Sequence, residues 1–147
     1  MTDKLDIPTV HHSITLPNDI EKISQLSEFV ETIAEEAGLD MSLTMSLHLA
    51  IEEAVVNVME YAYPKDTQNE VHIDVDTQDG QIIFTITDSG VAFDPTAQGD
   101  VDTTLSAEER PIGGLGIHLV RQIMDDISYQ RVNGKNILTL KKNIVSL

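Results

Sequence analysis

Cysteine is absent from the 147 residues, which rules out disulfides and thiolate metal sites at the outset. Tryptophan is absent too, and three tyrosines with three phenylalanines are all the aromatic surface available for stacking on bases. Basic residues are scarce: 9 lysines and arginines face 25 aspartates and glutamates, a formal net charge of −16. A polyanion would meet a repulsive field, so direct nucleic-acid binding is disfavoured. No stretch approaches the roughly 18 consecutive apolar residues of a membrane span, and no membrane partner is expected. Residues 1–8 carry Asp3, Lys4 and Asp6 without an apolar run, which reads against a secretory signal and makes the cytoplasm the expected compartment. What is present is ordinary for a soluble globular chain, with 41% hydrophobic and 23% charged residues. The length suits one core, so residues 1–147 are read as one domain. The acidity itself leaves two readings open, simple solubility or attraction to a basic protein partner.

Periodicity divides the chain into elements. Residues 10–16 read as a strand ended by Pro17, and Asn18 with Glu21 three residues on has the form of a capping box. Ile20, Ile23, Leu26, Val30, Ile33 and Ala37 then recur at helical spacing up to Gly38. Asp40 caps a second expected helix, to about Ala62, with a broad apolar face from Leu43 to Met59. Residues 71–77 and 81–88 alternate as strands around Asp79-Gly80, and Asn133-Gly134 joins a second hairpin. Between 89 and 112 the periodicity vanishes, and a loop this long in a small domain is usually functional. A third helix is expected over about 115–125, behind a glycine cluster. Strands arriving in pairs with helices between them predict an α/β two-layer sandwich. It would be one mostly antiparallel mixed sheet covered on one face by helices, with a doubly wound parallel sheet as the weaker alternative.

Three segments carry candidate chemistry. Glu53 and Asn57 lie four apart on the second helix and share a face, with Leu49 and Glu60 roughly continuing the stripe. A carboxylate can handle a proton while a carboxamide oxygen ligates a hard cation such as Mg²⁺, although a solvated face would look the same. Asp88 ends an inward-facing row of Ile82, Phe84 and Ile86, where an adenine amine could satisfy it; it could also simply start a turn. Gly90 beside it permits close backbone approach. Gly113, Gly114 and Gly116 lead into the third helix, where free N–H groups could cradle phosphate or merely start the helix. Neither a Walker A sequence nor the full dinucleotide fingerprint is present. Arg110 could balance terminal phosphate charge or pair with Glu108 or Glu109. The five histidines show no metal-ligand spacing, and no Gly-x-Ser-x-Gly motif appears.

The segments gain weight from their order. "LAIEEAVVNVMEYAYP" (49–64), "ITDSGVAFDP" (86–95), "ERPIGGLGIHLVRQIMDD" (109–126) and "GKNILTLKK" (134–142) succeed one another with suitable spacing. Together they resemble the GHKL ATPase superfamily of gyrase, the heat-shock chaperone, histidine kinases and the MutL mismatch-repair protein. Within it the chain is similar to the small bacterial anti-sigma factor serine/threonine kinases of partner switching. That resemblance implies the Bergerat-type ATP-binding fold, with ATP and Mg²⁺ as cofactors. It implies Asn57 as the Mg²⁺ ligand, Glu53 as general base and Asp88, with Gly90, as reader of the adenine amine. Gly113, Gly114 and Gly116 would form the second glycine box, Arg110 would lie near the phosphates, and residues 89–112 would be the ATP lid. Two departures stand out: Ala92 replaces the second glycine of Asp-x-Gly-x-Gly, and Asn136 stands where relatives often carry threonine.

The resemblance also implies partners: a STAS-type anti-anti-sigma protein as phosphoacceptor, a sigma factor as the alternative partner, and a homodimer. A phosphoacceptor-histidine helix pair and a transducer domain are missing from the sequence, so a minimal kinase unit is expected. A nucleotide-gated protein-binding module without kinase activity is the alternative, and plain ATP hydrolysis a third reading.

Overall fold

Alternating apolar and polar residues build a sheet in the computed structural model, which describes residues 9–63, 69–97 and 114–144. Its strands are β1 (His11–Pro17), β2 (Glu70–Gln78), β3 (Gln81–Asp88), β4 (Asp126–Val132) and β5 (Lys135–Asn143). They lie in the order β1-β2-β3-β5-β4, and all four pairings are antiparallel. The expected sandwich is borne out, and the doubly wound alternative is not. Both tight turns are two-residue loops with positive φ at each position: Asp79 (52°) with Gly80 (77°), and Asn133 (51°) with Gly134 (77°). That backbone twist matches the right-handed twist of the flanking strands, and it fixes both hairpin registers.

One sheet face is apolar and covered. Val71, Ile73 and Val75 of β2, Ile82, Phe84 and Ile86 of β3, and Leu138 and Leu140 of β5 are buried in a common core with the helices. Side chains of period two on the other face, such as His72, Asp74, Thr85 and Thr139, stay half-buried. The covering helices are α1 (Gln25–Ala37), α2 (Met41–Tyr61) and α3 (Gly114–Ile123). α2 is capped by Asp40, whose carboxylate accepts from Leu43 N–H at 2.7 Å. Its buried residues include Leu47, Ala50, Ile51, Ala54, Val55 and Val58, as the broad stripe predicts.

Two boundaries differ from expectation. The first helical segment opens with a 3-10 turn, Ile20–Ser24, and its cap is Asp19, which accepts from Glu21 N–H at 3.0 Å. Asn18 cannot act as cap because β1 continues through Pro17, and the Asn18 N–H is held by Asn69 O at 2.7 Å. α3 starts at Gly114, one residue before the expected start, so Gly114 joins Gly116 in its first turn. Among the described residues no helix is long and apolar enough to cross a membrane.

Candidate functional site

The strand registers place a row of side chains across the covered face at one end of the sheet. Val71 pairs with Asp88, Asp88 with Asn136, and Asn136 with Arg131. Asp88 and Asn136 are each 3% exposed, so this polar pair sits inside the fold. Asn136 Nδ2 donates to Asp88 Oδ1 at 2.9 Å and to Val91 O at 2.8 Å. Its Oδ1 accepts from Arg131 Nη1 at 3.0 Å, from Phe93 N–H at 3.2 Å and from the Tyr129 hydroxyl. Both amide protons are therefore used, and the oxygen is shared among three donors. Arg131 also reaches Gly90 O at 2.9 Å. Asp88 Oδ1 receives a second bond from Gly90 N–H at 2.9 Å, whereas Oδ2 receives none among the described residues.

Burial dominates the titration of Asp88 and pushes its carboxyl above the usual 3.8. The Asn136 amide, the Gly90 N–H and the Arg131 charge oppose that shift. The carboxylate is thus held in a dry place with one oxygen tied down, an arrangement that suits a donor from a ligand.

Gly90 joins this unit to α2. A Cβ on Gly90 would stand 2.1 Å from Ala62 O and 2.9 Å from Ala62 Cβ, which no side chain can do. The Val91 N–H donates to the same Ala62 carbonyl at 2.7 Å, capping the C-terminus of α2. Tyr63 adds a second tie: its hydroxyl donates to Glu70 O at 2.7 Å and accepts from Ser89 N–H at 2.9 Å. The end of α2 and the end of β3 are locked together by backbone, and Asp88 lies at that junction.

α2 itself carries the other half. Glu53 is half-buried, and Asn57 one turn later is 4% exposed rather than on a solvated face. The Nδ2 of Asn57 is buried without any hydrogen-bond partner. Native interiors leave few such groups, and each calls for an explanation. Which end of that amide is oxygen is an assignment, so a carboxamide lacking partners on one side can offer either atom to a ligand. Leu49 continues the stripe as an exposed apolar residue, and Glu60 is exposed. α3 packs on α2, and Arg121 from α3 donates to Thr96 O at 2.5 Å, holding the 3-10 turn Pro95–Ala97 that follows Asp88. The first-turn N–H groups of a helix have no intrahelical partners, and in α3 that turn contains Gly114 and Gly116.

Of the expected site residues, the fold brings Asp88 and Gly90 into one hydrogen-bonded unit and docks it on the end of the helix bearing Glu53 and Asn57. Arg110, Gly113 and the lid beyond residue 97 lie outside the described residues. Sequence reasoning missed Arg131, Tyr129 and Tyr63. The first had a legible signal, since an Asn133-Gly134 turn places Arg131 opposite Asn136, and Tyr129 shares the Arg131 face by strand period.

Comparison with known proteins agrees with this fold. A family model described as "Histidine kinase-like ATPase domain" matches residues 16–142. The serine-protein kinase RsbW of Listeria monocytogenes is 27% identical over 139 residues, covering 90% of this chain and 88% of that protein. The serine/threonine-protein kinase BtrW of Bordetella bronchiseptica is 30% identical over 112 residues, 76% of this chain and 79% of that one. A crystal structure of the RsbU and RsbW domains of Rv1364c from Mycobacterium tuberculosis has a TM-score of 0.65 at 18% identity. It covers 95% of this chain and 33% of that one, and shows the shared fold. By the extent of the family match and of its likeness to BtrW, the chain belongs to the histidine kinase-like ATPase domain family.

Proposed function

We propose that the protein is an ATP-dependent serine/threonine protein kinase that acts as an anti-sigma regulatory factor. ATP is the ligand that family membership implies. The observation that carries the reading is the Glu53–Asn57 pair: a half-buried carboxylate one turn before a buried carboxamide with an unpartnered Nδ2. A buried group of that kind fits a ligand that completes it, and an amide oxygen is a suitable hard donor for Mg²⁺.

When bound, Mg-ATP would supply the γ-phosphoryl group and the cation that offsets its charge. Glu53 would take the proton of the acceptor hydroxyl as that oxygen bonds to the γ-phosphorus and the bond to the bridging oxygen of ADP breaks. Asn57 would hold the cation through its amide oxygen. Asp88 would accept from the adenine amine on Oδ2, the oxygen free of other donors among the described residues. The first-turn amides of α3 would stabilise charge on the phosphates, a role the resemblance of the motifs extends to Gly113 and Arg110. Residues 89–112 serve as the lid.

A protein acceptor is favoured by the surface beside Glu53. Met41, Met45 and Leu49 are 78%, 66% and 43% exposed and follow one another at four-residue steps towards Glu53. Exposed apolar residues grouped in this way mark a contact surface for another protein. The relatives are named as serine or serine/threonine kinases, which supports the same reaction. By the resemblance of the motifs, the acceptor is a STAS-type anti-anti-sigma protein, and a sigma factor is the partner held when that protein is phosphorylated.

The test is transfer of label from γ-labelled ATP to STAS-domain proteins of the same genome. Label on a serine or threonine of one candidate, lost with Glu53→Gln while ATP binding persists, is the expected outcome. Transfer that survives Glu53→Gln would remove Glu53 from the mechanism. ATP binding with no transfer to any candidate would favour a nucleotide-gated binding module instead.

A further inference from the structure

In a chain of net charge −16 carboxylates are plentiful, yet Arg131 bonds to neutral oxygens. Its Nη1 donates to Gly90 O at 2.9 Å and to Asn136 Oδ1 at 3.0 Å. The same two residues supply the hydrogen bonds that Asp88 Oδ1 receives among the described residues, 2.9 Å each from Asn136 Nδ2 and the Gly90 N–H. Arg131 thus stands behind the pair that holds the carboxylate, on the row Arg131–Asn136–Asp88 that the register lays across β4, β5 and β3.

Donor chemistry fixes the direction of these contacts. A guanidinium and a backbone N–H can only donate, so Arg131 and the Phe93 N–H, which meet the same end of the Asn136 amide, make that end the oxygen. The other end is then the amine, which bonds Asp88 Oδ1 and Val91 O. A cation on the oxygen of an amide strengthens its N–H groups as donors, so the charge reaches Asp88 along the bond as well as across space. On Asp88 itself burial raises the carboxyl pKa, and Asn136, Gly90 and Arg131 each oppose that rise. From β2 the residue opposite is the apolar Val71. The other titratable groups facing this corner are phenols, Tyr63 from the end of α2, which accepts from Ser89 N–H, and Tyr129 from β4, which donates to Asn136 Oδ1. The Glu70 carboxylate of β2 lies beyond Tyr63.

From this we infer that Arg131 is a positioning residue of the purine site: acting through Asn136 and Gly90, it holds Asp88 Oδ1 and reserves Oδ2 for a base that carries an exocyclic amine. The inference rests on the reading of Asp88 proposed above and adds to it a residue that acts through others. Without the Arg131 charge, burial is less opposed and Asp88 takes up a proton at higher pH. A protonated acid can donate to a ring carbonyl, so the preference for an amine over a carbonyl then narrows.

The test is calorimetric titration of the full chain, from acid to neutral pH, with Mg-ATP and with Mg-inosine triphosphate, which has a carbonyl where ATP has its amine. Arg131→Met removes charge and donors at similar length, and Arg131→Lys keeps the charge. Wild type should prefer ATP, and that preference should narrow as pH falls. In Arg131→Met the narrowing should begin at higher pH, with ATP bound about 3- to 10-fold more weakly than by wild type at the acid end and the difference fading towards neutrality. Arg131→Lys should follow wild type. A methionine variant whose preference tracks wild type at every pH would overturn the inference while leaving the Asp88 reading standing. An equal, pH-independent loss for both nucleotides would overturn it too, by revealing a purely structural role, as would a lysine variant that behaves like methionine. A wild type that binds the two nucleotides alike would overturn the reading of Asp88 as base contact and Arg131 with it. A wild type that binds neither would overturn the nucleotide reading itself.

Discussion

At the β3 end of the site, polar groups are satisfied within the protein; on α2 they are left waiting. Asn136 spends both amide protons on Asp88 and Val91 and shares its oxygen among Tyr129, Arg131 and Phe93. Asn57 and Tyr61, on the adjoining helix, each bury a polar atom with nothing to meet it. A satisfied network is rigid and holds its geometry before any ligand arrives. An unsatisfied pair stores a cost that a ligand can relieve. The β3 end is thus preorganised, whereas the α2 end keeps buried polar atoms for a ligand to complete under the proposed reading. Gly90 is the seam between them.

The largest effect should come from opening that seam. Gly90→Ala drives a Cβ to within 2.1 Å of the Ala62 carbonyl oxygen, which is backbone and cannot rotate away. The Val91–Ala62 bond of 2.7 Å must lengthen or break. Overpacking with a lost buried hydrogen bond costs roughly 2–4 kcal/mol of stability. ATP affinity should fall with it, since both halves of the site lose their mutual placement. A denaturant midpoint equal to wild type would show that the seam yields more easily than its geometry indicates.

A matched pair of truncations sharpens the contrast. Asn136→Ala strips a donor from Asp88 Oδ1 and Val91 O and an acceptor from three further groups. Buried partners left unpaired should cost about 2–4 kcal/mol of stability even without nucleotide. Asn57→Ala removes an amide that already lacks a partner on one side, at a helix position where alanine is the better former. Its nucleotide-free stability should change by less than about 1 kcal/mol, with the loss appearing in Mg-ATP affinity instead. Urea unfolding with and without Mg-ATP separates the two. Equal losses in the nucleotide-free protein would dissolve the distinction between a preorganised and a ligand-completed end.

Much of the preorganised end can be read from sequence, because strand period and turn chemistry are local rules. Ile82, Phe84, Ile86 and Asp88 share a face by simple alternation, and the Asn133-Gly134 turn sets Asn136 opposite Arg131. That Asn136 is a hub of five hydrogen bonds is not legible, since it depends on where the 91–93 backbone returns across the sheet. Nor is the need for glycine at 90, which arises from contact with a residue 28 positions earlier. At the helical end the spacing of Glu53 and Asn57 is plain, but the burial of Asn57 follows from packing rather than spacing. The Asn18 cap failed for a related reason. Capping rules judge the four residues of a box, and the strand before it had a claim on the same backbone.

The smallest effect, and the one most specific to the Asp88 carboxylate, lies in pH. Burial raises the Asp88 pKa above 3.8, so between that value and the folded-state pKa the native chain holds a proton the unfolded chain has released. Stability then declines as pH rises across this window and levels off above it, because the buried charge is present in full only once Asp88 is ionised. Nucleotide binding should run the opposite way. A carboxylate accepts from an exocyclic amine and a protonated acid offers one acceptor fewer, so ATP affinity should rise with pH through the same window. Asp88→Asn should remove the stability slope that belongs to this residue, leaving the background of the other carboxylates in place. Unfolding midpoints and ATP titrations across the acid range, wild type against Asp88→Asn, supply the two difference curves. Slopes of the same sign would mean that the group coupling stability to pH is not the group that meets the base.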